Sequence, residues 1–342
     1  MTTKADILKA LDQVTIPRVE RSLVALNMVC HVELASGQAS ITLGLTPLGP
    51  QARDKVVAEA RNAILRNTGL SQVEIKVTEP KPAEFNHFHH VIAVMSGKGG
   101  VGKSLIAGLL AIALNRQHYE VGILDADLTG PSIPLMFGLE ARPLGSDKGV
   151  LPVRSRSGIE VMSINLLLPH QDDPLMWRGP AISRTITQFW QQVVWGDLDY
   201  LVVDLPPGTS DAPITVMQAL HLSGVVMVFT PQVLATMIVR KAAQMAQHLK
   251  VPILGLVENM SHLVSPETGR PLSLFGKSKG SELSQATGAP FLGAMPLDPA
   301  LADLCDRGQI ESYNSPAFQA LAQSLLAAVP RSESHHHLPE AP

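Results

Sequence analysis

The sequence predicts an α/β protein in two parts, a small αββαβ domain over residues 1–78 and a larger doubly wound domain over residues 91–329. Two observations predict the larger domain. Apolar strands alternate with helical stretches, as in a mostly parallel sheet covered on both faces. Polar residues also gather where those strands end, which is where such sheets bind ligands. The predicted strands are Val91–Ser96, Val121–Leu124, Tyr200–Val203, Val225–Phe229, Ile253–Val257 and Phe291–Ala294.

In the N-terminal domain, hydrophobic spacing predicts each element in turn. Alternation predicts strands over Met28–Leu34 and Ala39–Leu45, with a turn at 36–38, and Cys30 falls among the apolar core positions. Two prolines then interrupt regular structure, so residues 79–90 are predicted to form a linker. The remaining signals are a first helical face of Ile7, Leu8, Leu11 and Val14, a second of Ala52, Val56, Ala60 and Ile64, and a strand carrying Val73, Ile75 and Val77.

Composition excludes several functional classes. The 342 residues carry a net charge of −3, which gives no electrostatic basis for binding nucleic acid or an anionic membrane. No apolar run reaches the roughly 18 residues needed to span a bilayer. Two cysteines, Cys30 and Cys305, exclude a disulfide framework and favour a reducing cytoplasm. The last helix is predicted to begin at Ser315, and residues 330–342 are predicted to be a disordered tail.

Histidines cluster at two places. His87, His89 and His90 precede the first strand of the larger domain, and three more histidines follow one another at 335–337. Imidazoles in such groups are potential metal ligands. The interpretation favoured for both groups is solvent exposure, at a strand entry and in a tail.

A phosphate-binding loop is the most specific signal in the chain. The pattern G-x-x-x-x-G-K-[ST] is met at Gly97, Gly102, Lys103 and Ser104, between a predicted strand and a predicted helix. Its backbone N–H groups and the helix N-terminus favour phosphate oxygens. Lys103 is predicted to reach the β- and γ-phosphates of ATP, and Ser104 to bind Mg²⁺. The predicted nucleotide-binding residues are Gly97, Lys98, Gly99, Gly100, Val101, Gly102, Lys103 and Ser104.

Three aspartates at strand ends complete the predicted catalytic chemistry. Asp204 ends the run Leu-Val-Val-Asp and is predicted to hold Mg²⁺ opposite Ser104. Asp125 and Asp127 are two residues apart, so their side chains diverge and their roles differ. Asp125 is predicted to support the metal, and Asp127 to orient or deprotonate the attacking water. The alternative for each is a carboxylate that caps a strand or a turn.

A lysine directly after the first glycine of the loop distinguishes this motif from most phosphate loops. In Gly-Lys-Gly-Gly-Val-Gly-Lys-Ser that lysine is Lys98, and it resembles the deviant Walker A class. The resemblance implies a homodimer that encloses two nucleotides, in which Lys98 of one subunit reaches the phosphates bound by the other. Such a cation meets the negative charge that develops during phosphoryl transfer.

Further motifs resemble the Mrp-type ATPases, which carry and assemble iron–sulfur clusters. The resemblance implies Mg²⁺-dependent ATP hydrolysis, delivery of clusters to apoprotein clients, contact of Asn259 with adenine, and an N-terminal domain of the iron–sulfur-assembly type. It also implies iron–sulfur assembly factors as partners, without nucleic acid or membrane. The shared segments are SGKGGVGKS at 96–104, LDAD at 124–127, GPSIP at 130–134, WRGP at 177–180, LDYLVVDLPPGTSDA at 198–212, VPILGLVENMS at 251–261, FG at 275–276 and PFLGAMPLDP at 290–299.

The chain departs from that family at the expected cluster ligands. Family members commonly carry a Cys-x-x-Cys pair after the Glu-Asn-Met-Ser segment, and here Ser265 and Thr268 occupy the two positions. Hydroxyl oxygens are poor substitutes for thiolates on iron. Cys305 and His262 are the remaining ligand candidates. Two functions therefore stay open: a carrier with unusual or partner-supplied ligands, and a nucleotide-switched assembly protein that binds no cluster itself.

Overall fold

The computed structural model describes residues 2–35, 37–127, 130–168, 190–265 and 268–332, with the side chains of 233–235 excepted. The N-terminal part follows the predicted αββαβ order. Strand β1 pairs with β2 in antiparallel fashion, and β2 pairs with β3 in parallel. Its elements are α1 (Lys4–Leu11), β1 (Val29–Ala35), β2 (Gln38–Gly44), α2 (Pro50–Thr68) and β3 (Gln72–Thr78).

Two local predictions for this part are wrong. Helix α1 ends at Leu11, so Val14 lies beyond it, although its side chain still joins the core. Cys30 is exposed rather than buried. The pairing of β1 with β2 shifts between Val29 and His31, and Cys30 is the extra residue of that bulge. A bulge breaks the alternation of inward and outward side chains on which the prediction depended.

The remaining elements alternate in the predicted α/β manner. They are β4 (His87–Ser96), α3 (Lys103–Asn115), β5 (Val121–Asp125), α4 (Ile133–Phe137), β6 (Gly145–Ser146), β7 (Gly149–Val150), β8 (Val153–Arg154), β9 (Glu160–Ser163), β10 (Asp197–Asp204), α5 (Asp211–Ala219), β11 (Gly224–Phe229), α6 (Val233–His248), β12 (Ile253–Glu258), β13 (Leu263–Val264), β14 (Pro271–Leu272), α7 (Gly280–Thr287), β15 (Phe291–Ala294), α8 (Pro299–Asp306) and α9 (Pro316–Ala328). Short 3₁₀ turns cover Pro82–Phe85, Ile164–Leu166 and Ile310–Ser312.

A large sheet organises this part of the molecule. Among the described residues its strand order is β15-β12-β11-β4-β10-β5-β9-β8, and every neighbouring pair except β8 with β9 is parallel. Helices α3 and α9 contribute to the core on one face, whereas α5, α6 and α7 contribute to the core on the other. The predicted doubly wound fold is therefore confirmed. Strand β4 lies between β10 and β11, near the middle of the sheet.

The first strand of this sheet is longer than its apolar run indicates. Strand β4 begins at His87, where it pairs with Asp197 of β10, rather than at Val91. Residues 87–90 of the predicted linker are therefore part of the sheet, and residues 82–85 form a 3₁₀ turn. Polar histidines are compatible with a strand here because this end of β4 is only partly buried.

Two sequence predictions concern residues 177–180 and the predicted tail at 330–342. The segment at 177–180 lies outside the described residues, as do 333–342. Residues 330–332, however, are ordered against β10, since Tyr200 Oη donates to the Pro330 carbonyl and Ser332 Oγ donates to Asp199. Residues 330–332 of the predicted tail are therefore packed against the large sheet, and the rest of that prediction lies outside the described residues. Within the described ranges no helix is long and apolar enough to cross a membrane.

The N-terminal domain packs against the large sheet through a buried arginine. Arg21 Nη1 donates to Glu160 Oε1 over 2.7 Å, and Nη2 donates to the Asp197 carbonyl over 2.9 Å. Leu151 and Val194 complete the apolar core of the N-terminal domain from the other side of the junction. Burial raises the pKa of Glu160, and the adjacent guanidinium opposes that effect. The junction therefore depends on keeping this buried pair intact.

Replacing Arg21 by methionine is expected to lower the free energy of unfolding by about 3–5 kcal/mol. The substitution leaves a buried carboxylate without its cation, and such losses are typically of this size. Urea unfolding of the full chain measures the effect, with Arg66→Met on the exposed face of α2 as the matched control. A double Arg21→Met, Glu160→Leu variant should recover much of the loss. An unchanged unfolding midpoint in Arg21→Met would contradict the role assigned to the pair.

Candidate nucleotide-binding site

The loop between β4 and α3 has the backbone conformation that its glycines allow. Gly100 and Gly102 adopt φ values of +76° and +79°, in the left-handed region that most side chains disfavour. A Cβ atom at Gly102 would lie 2.1 Å from Asn259 Nδ2, and one at Gly97 would lie 2.2 Å from Ile238 Cγ2. Close packing therefore requires glycine at position 97, and at position 102 it adds to the requirement set by φ. The loop leads directly into the N-terminus of α3, where phosphate oxygens are favoured.

Lys103 lies at the first position of α3, and its ammonium group is held among carboxylates. Only 5% of the residue is exposed. Its Nζ donates to Asp204 Oδ1 over 2.6 Å and lies 3.5 Å from Asp127 Oδ2. Ser104 Oγ is 3.3 Å from the same nitrogen. The structure thus brings together four side chains that the sequence places up to 101 residues apart.

Asp204 has the features expected of a residue that helps to bind a cation. It is fully buried at the end of β10, and its Oδ2 atom has no hydrogen-bond partner among the described residues. Burial raises the pKa of this carboxyl, and Lys103 opposes the shift. A buried oxygen without a partner is costly, and Ser104 supplies a hydroxyl nearby. This donor set fits Mg²⁺, which prefers oxygen ligands.

Asp125 is also fully buried, but both of its oxygens have protein partners. Oδ2 accepts from Ser163 Oγ over 3.0 Å, and Oδ1 accepts from the Asp127 backbone N–H over 3.2 Å. Burial, followed by the charge of Asp204, raises the pKa of Asp125 to about 8. Asp125 is accordingly placed to support the site from beneath, and its role toward Mg²⁺ stays a prediction.

Lys98 extends from the loop and contacts its own chain. Its Nζ donates to Gln232 Oε1, and its carbonyl accepts from Ser96 Oγ over 2.9 Å. The segment Pro206–Gly208 lies against the same loop, since the Gly208 N–H donates to the Ser96 carbonyl. Lys98 therefore lies outside the cluster formed by Lys103 and the aspartates. Its predicted contact with a second subunit stays a prediction.

Asn259 lies beneath the phosphate loop. It is 2% exposed, its Nδ2 donates to the Val101 carbonyl over 2.9 Å, and its backbone N–H donates to the Phe229 carbonyl. The side chain therefore fixes the loop from the end of β12. Contact with adenine is an additional role that stays a prediction.

Three residues of the site were missed at the sequence level. Ser163 ends the buried strand β9, Thr230 directly follows the buried strand β11, and Gln232 follows Thr230 by two residues. Thr230 Oγ1 is buried and, like Asp204 Oδ2, has no partner among the described residues. The rule that ligands bind at the carboxyl ends of parallel strands would have found the first two. Gln232 carries no such signal, because its contact with Lys98 depends on the path of the following loop.

The positions of the expected cluster cysteines lie at the tip of the β13–β14 hairpin. Ser265 Oγ accepts from the Thr268 N–H over 3.3 Å, and Thr268 Oγ1 accepts from the Arg270 N–H over 3.4 Å. The two hydroxyls therefore stabilise the turn. Cys305 lies on α8, where burial and the neighbouring Asp306 raise the pKa of its thiol to about 11. A thiol with that pKa is protonated at neutral pH.

Comparison with known proteins agrees with this site. Residues 87–329 match the family model described as NUBPL iron-transfer P-loop NTPase. The chain belongs to this family. Residues 4–77 match a second model, described as an iron–sulfur cluster assembly protein. The resemblance stated from the sequence is thereby confirmed for both parts, and the NUBPL-family assignment establishes a nucleotide-binding P-loop NTPase.

Relatives of this NUBPL-family chain include iron–sulfur cluster carrier proteins and a nucleotide-binding protein of known structure. An iron–sulfur cluster carrier protein from Synechocystis is 38% identical over 96% of this chain and 98% of its own length. One from Aquifex aeolicus is 44% identical over 70% of this chain and 68% of its own length. The nucleotide-binding protein from Archaeoglobus fulgidus in complex with ADP is 44% identical, covers 72% of this chain and 95% of its own, and has a TM-score of 0.62. MinD from Aquifex aeolicus is 19% identical with a TM-score of 0.50, so it supports the fold alone.

Proposed function

We propose that this NUBPL-family protein is an ATP-hydrolysing carrier that delivers iron–sulfur clusters to apoproteins and works as a nucleotide-sandwich homodimer. The ATP-binding part of this proposal rests on the position of the Lys103 ammonium group, between Asp204 and Asp127 beside the phosphate loop. The cluster half is supported by the relatives, which are described as iron–sulfur cluster carriers. Mg²⁺ dependence and slow turnover are part of the proposal.

The mechanism assigns a separate task to each charged side chain. The loop N–H groups bind the phosphates of ATP, and Lys103 moves from Asp204 toward the β- and γ-phosphates. Ser104 and Asp204 would hold Mg²⁺, which neutralises phosphate charge. Asp127, two residues beyond Asp125, orients the attacking water. Lys98 of the second subunit leaves Gln232 and stabilises the negative charge of the transition state.

The nucleotide-binding end of the sheet also lies beside the hairpin that carries Ser265 and Thr268. Glu258 ends β12, Asn259 follows it, and the hairpin begins at Leu263, so one strand connects the phosphate loop to the expected cargo site. We propose that the cargo is held there between two subunits. Because the tip supplies hydroxyls, the thiolate ligands are proposed to come from the client or from Cys305, whose thiol would release its proton on binding iron.

Anaerobic reconstitution with ferrous iron and sulfide tests the cargo half. We expect the desalted wild-type chain to retain iron, with visible absorbance of a thiolate-bound cluster. Cys305→Ala should retain less, whereas Cys30→Ala, on β1 of the N-terminal domain, is the matched control and should retain as much as wild type. Iron at background in all three proteins would instead support an assembly protein that binds no cluster itself.

The proposed cellular location is the cytoplasm. Cys30 and Cys305 are both free thiols, which agrees with a reducing cytoplasm. The proposed partners are a second copy of the chain, iron–sulfur assembly factors and apoprotein clients. Nucleic acid and membranes are not proposed as partners, because the net charge is −3.

A further inference from the structure

A cluster of metal-ligating side chains lies at the opposite end of β4 from the phosphate loop. His87 and His89 are two residues apart on β4 and therefore face the same side of the sheet. Asp197 of the neighbouring strand β10 is the direct register partner of His87. At about 3.3 Å per residue, this cluster is roughly 30 Å from the phosphate loop. It is therefore separate from the nucleotide site.

The three side chains converge on one point. His87 Nδ1 is 2.9 Å from Asp197 Oδ1, and His89 Nε2 is 3.8 Å from the same oxygen. One ligand atom from each residue lies within 4.8 Å of the other two. Two ligands of a tetrahedral zinc ion are about 3.3 Å apart, given metal–ligand bonds near 2.0–2.1 Å. Small side-chain rotations would bring the three atoms to that spacing, and His87, at 61% exposure, has room to rotate.

The backbone beneath the cluster is fixed from both domains. The Asp197 N–H donates to the Ala25 carbonyl, and the Asp197 carbonyl accepts from Arg21 Nη2. The His87 N–H donates to the Gly196 carbonyl over 2.9 Å. A rigid backbone with adjustable side chains is the arrangement that a metal site needs. His90, by contrast, hydrogen-bonds the Arg331 carbonyl through Nε2 and is not part of the cluster.

We propose that His87, His89 and Asp197 form a binding site for one divalent first-row transition-metal ion. Two imidazoles and one carboxylate suit zinc, cobalt and ferrous iron, whereas Mg²⁺ and Ca²⁺ prefer all-oxygen sites. Three protein ligands leave at least one coordination position open to water or to an added ligand. The site is independent of the proposed cluster carriage and of nucleotide.

Titration of the full chain with Zn²⁺ by calorimetry, and with Co²⁺ by visible absorption, tests the proposal. The background chain carries serine in place of the three histidines at 335–337, so that the tail contributes no imidazole ligands. Nucleotide is omitted. We expect one ion per chain, and His89→Gln or Asp197→Asn should weaken binding by more than about tenfold, since even loss of an outer-shell partner costs 10–100-fold.

His31→Ala is the matched control, because His31 is an exposed histidine on another strand, β1. Its metal affinity should equal that of the background chain. The urea midpoint and the ATP affinity of His89→Gln and of Asp197→Asn are measured to check that these variants are folded. We expect both to be folded, and Asp197→Asn keeps the backbone contacts to Ala25 and Arg21. Undiminished Zn²⁺ and Co²⁺ binding in both variants, or no binding by the background chain, would overturn the site.

Discussion

Lys103→Ala is expected to reduce ATP affinity by more than about 100-fold, which corresponds to about 2.7 kcal/mol. The ammonium group belongs to the first residue of α3, directly after the phosphate loop, and already pairs with Asp204 and Asp127. Its removal takes away the charge that would bind the β- and γ-phosphates. Equilibrium binding of a fluorescent ATP analogue measures the loss.

The control for this substitution is Lys55→Ala, which removes the same charge from the exposed face of α2. Its ATP affinity should match wild type. Lys103 is also the cation of a buried carboxylate cluster, so its loss could unfold the protein. Urea unfolding must therefore accompany the binding measurement, so that ATP affinity is compared between folded proteins only. ATP affinity in folded Lys103→Ala equal to that of Lys55→Ala would refute the phosphate-loop assignment.

Lys98→Ala is expected to leave ATP affinity near wild type while lowering turnover by about 10³–10⁵-fold, the contribution that an arginine finger makes to kcat. Lys98 lies apart from the Lys103 cluster and contacts Gln232 in its own chain. Nucleotide-dependent dimerisation should weaken as well, which sedimentation with a non-hydrolysable ATP analogue measures. Gln232→Ala, which removes only the contact within the chain, is the matched control and should retain turnover.

A mixing experiment decides whether Lys98 acts across the dimer. Lys98→Ala retains Lys103 and is expected to bind ATP, but lacks the Lys98 cation, whereas Lys103→Ala retains Lys98 but is expected to bind ATP only weakly. If Lys98 serves the other subunit, a mixture of these two inactive variants restores part of the turnover. No recovery, in a mixture shown to contain mixed dimers, would mean that Lys98 acts within its own chain.

The fold was predictable because its signals are local. Apolar runs of four to six residues mark the buried strands, and the glycine-lysine-serine pattern marks the turn from β4 into α3. The same logic placed Asp125, Asp127 and Asp204 at one edge of the sheet, and the register of Asp204 with Asp125 agrees with it. These positions follow from the parallel direction of the strands alone.

What the sequence did not reveal depends on contacts between distant residues. Arg21 and Glu160 are 139 residues apart, and neither lies in a motif. Alternation predicts that Cys30 is a core residue, and a single bulge makes that prediction wrong. The polar residues from His87 to His90 predict a linker, although pairing with β10 extends the strand there. The pairing of Asp197 with His87 was likewise invisible before the strand order was known.

The lysine buried between Asp204 and Asp127 couples the expected binding of Mg²⁺ to that of ATP. In the described structure Lys103 is the counterion of Asp204 and Asp127, so its ammonium group occupies electrostatically the place that the proposed divalent ion would take. When Lys103 turns toward a phosphate, Asp204 loses its positive neighbour in a fully buried position. We therefore expect Mg²⁺ and ATP to bind with positive cooperativity, each raising the affinity for the other by the same factor.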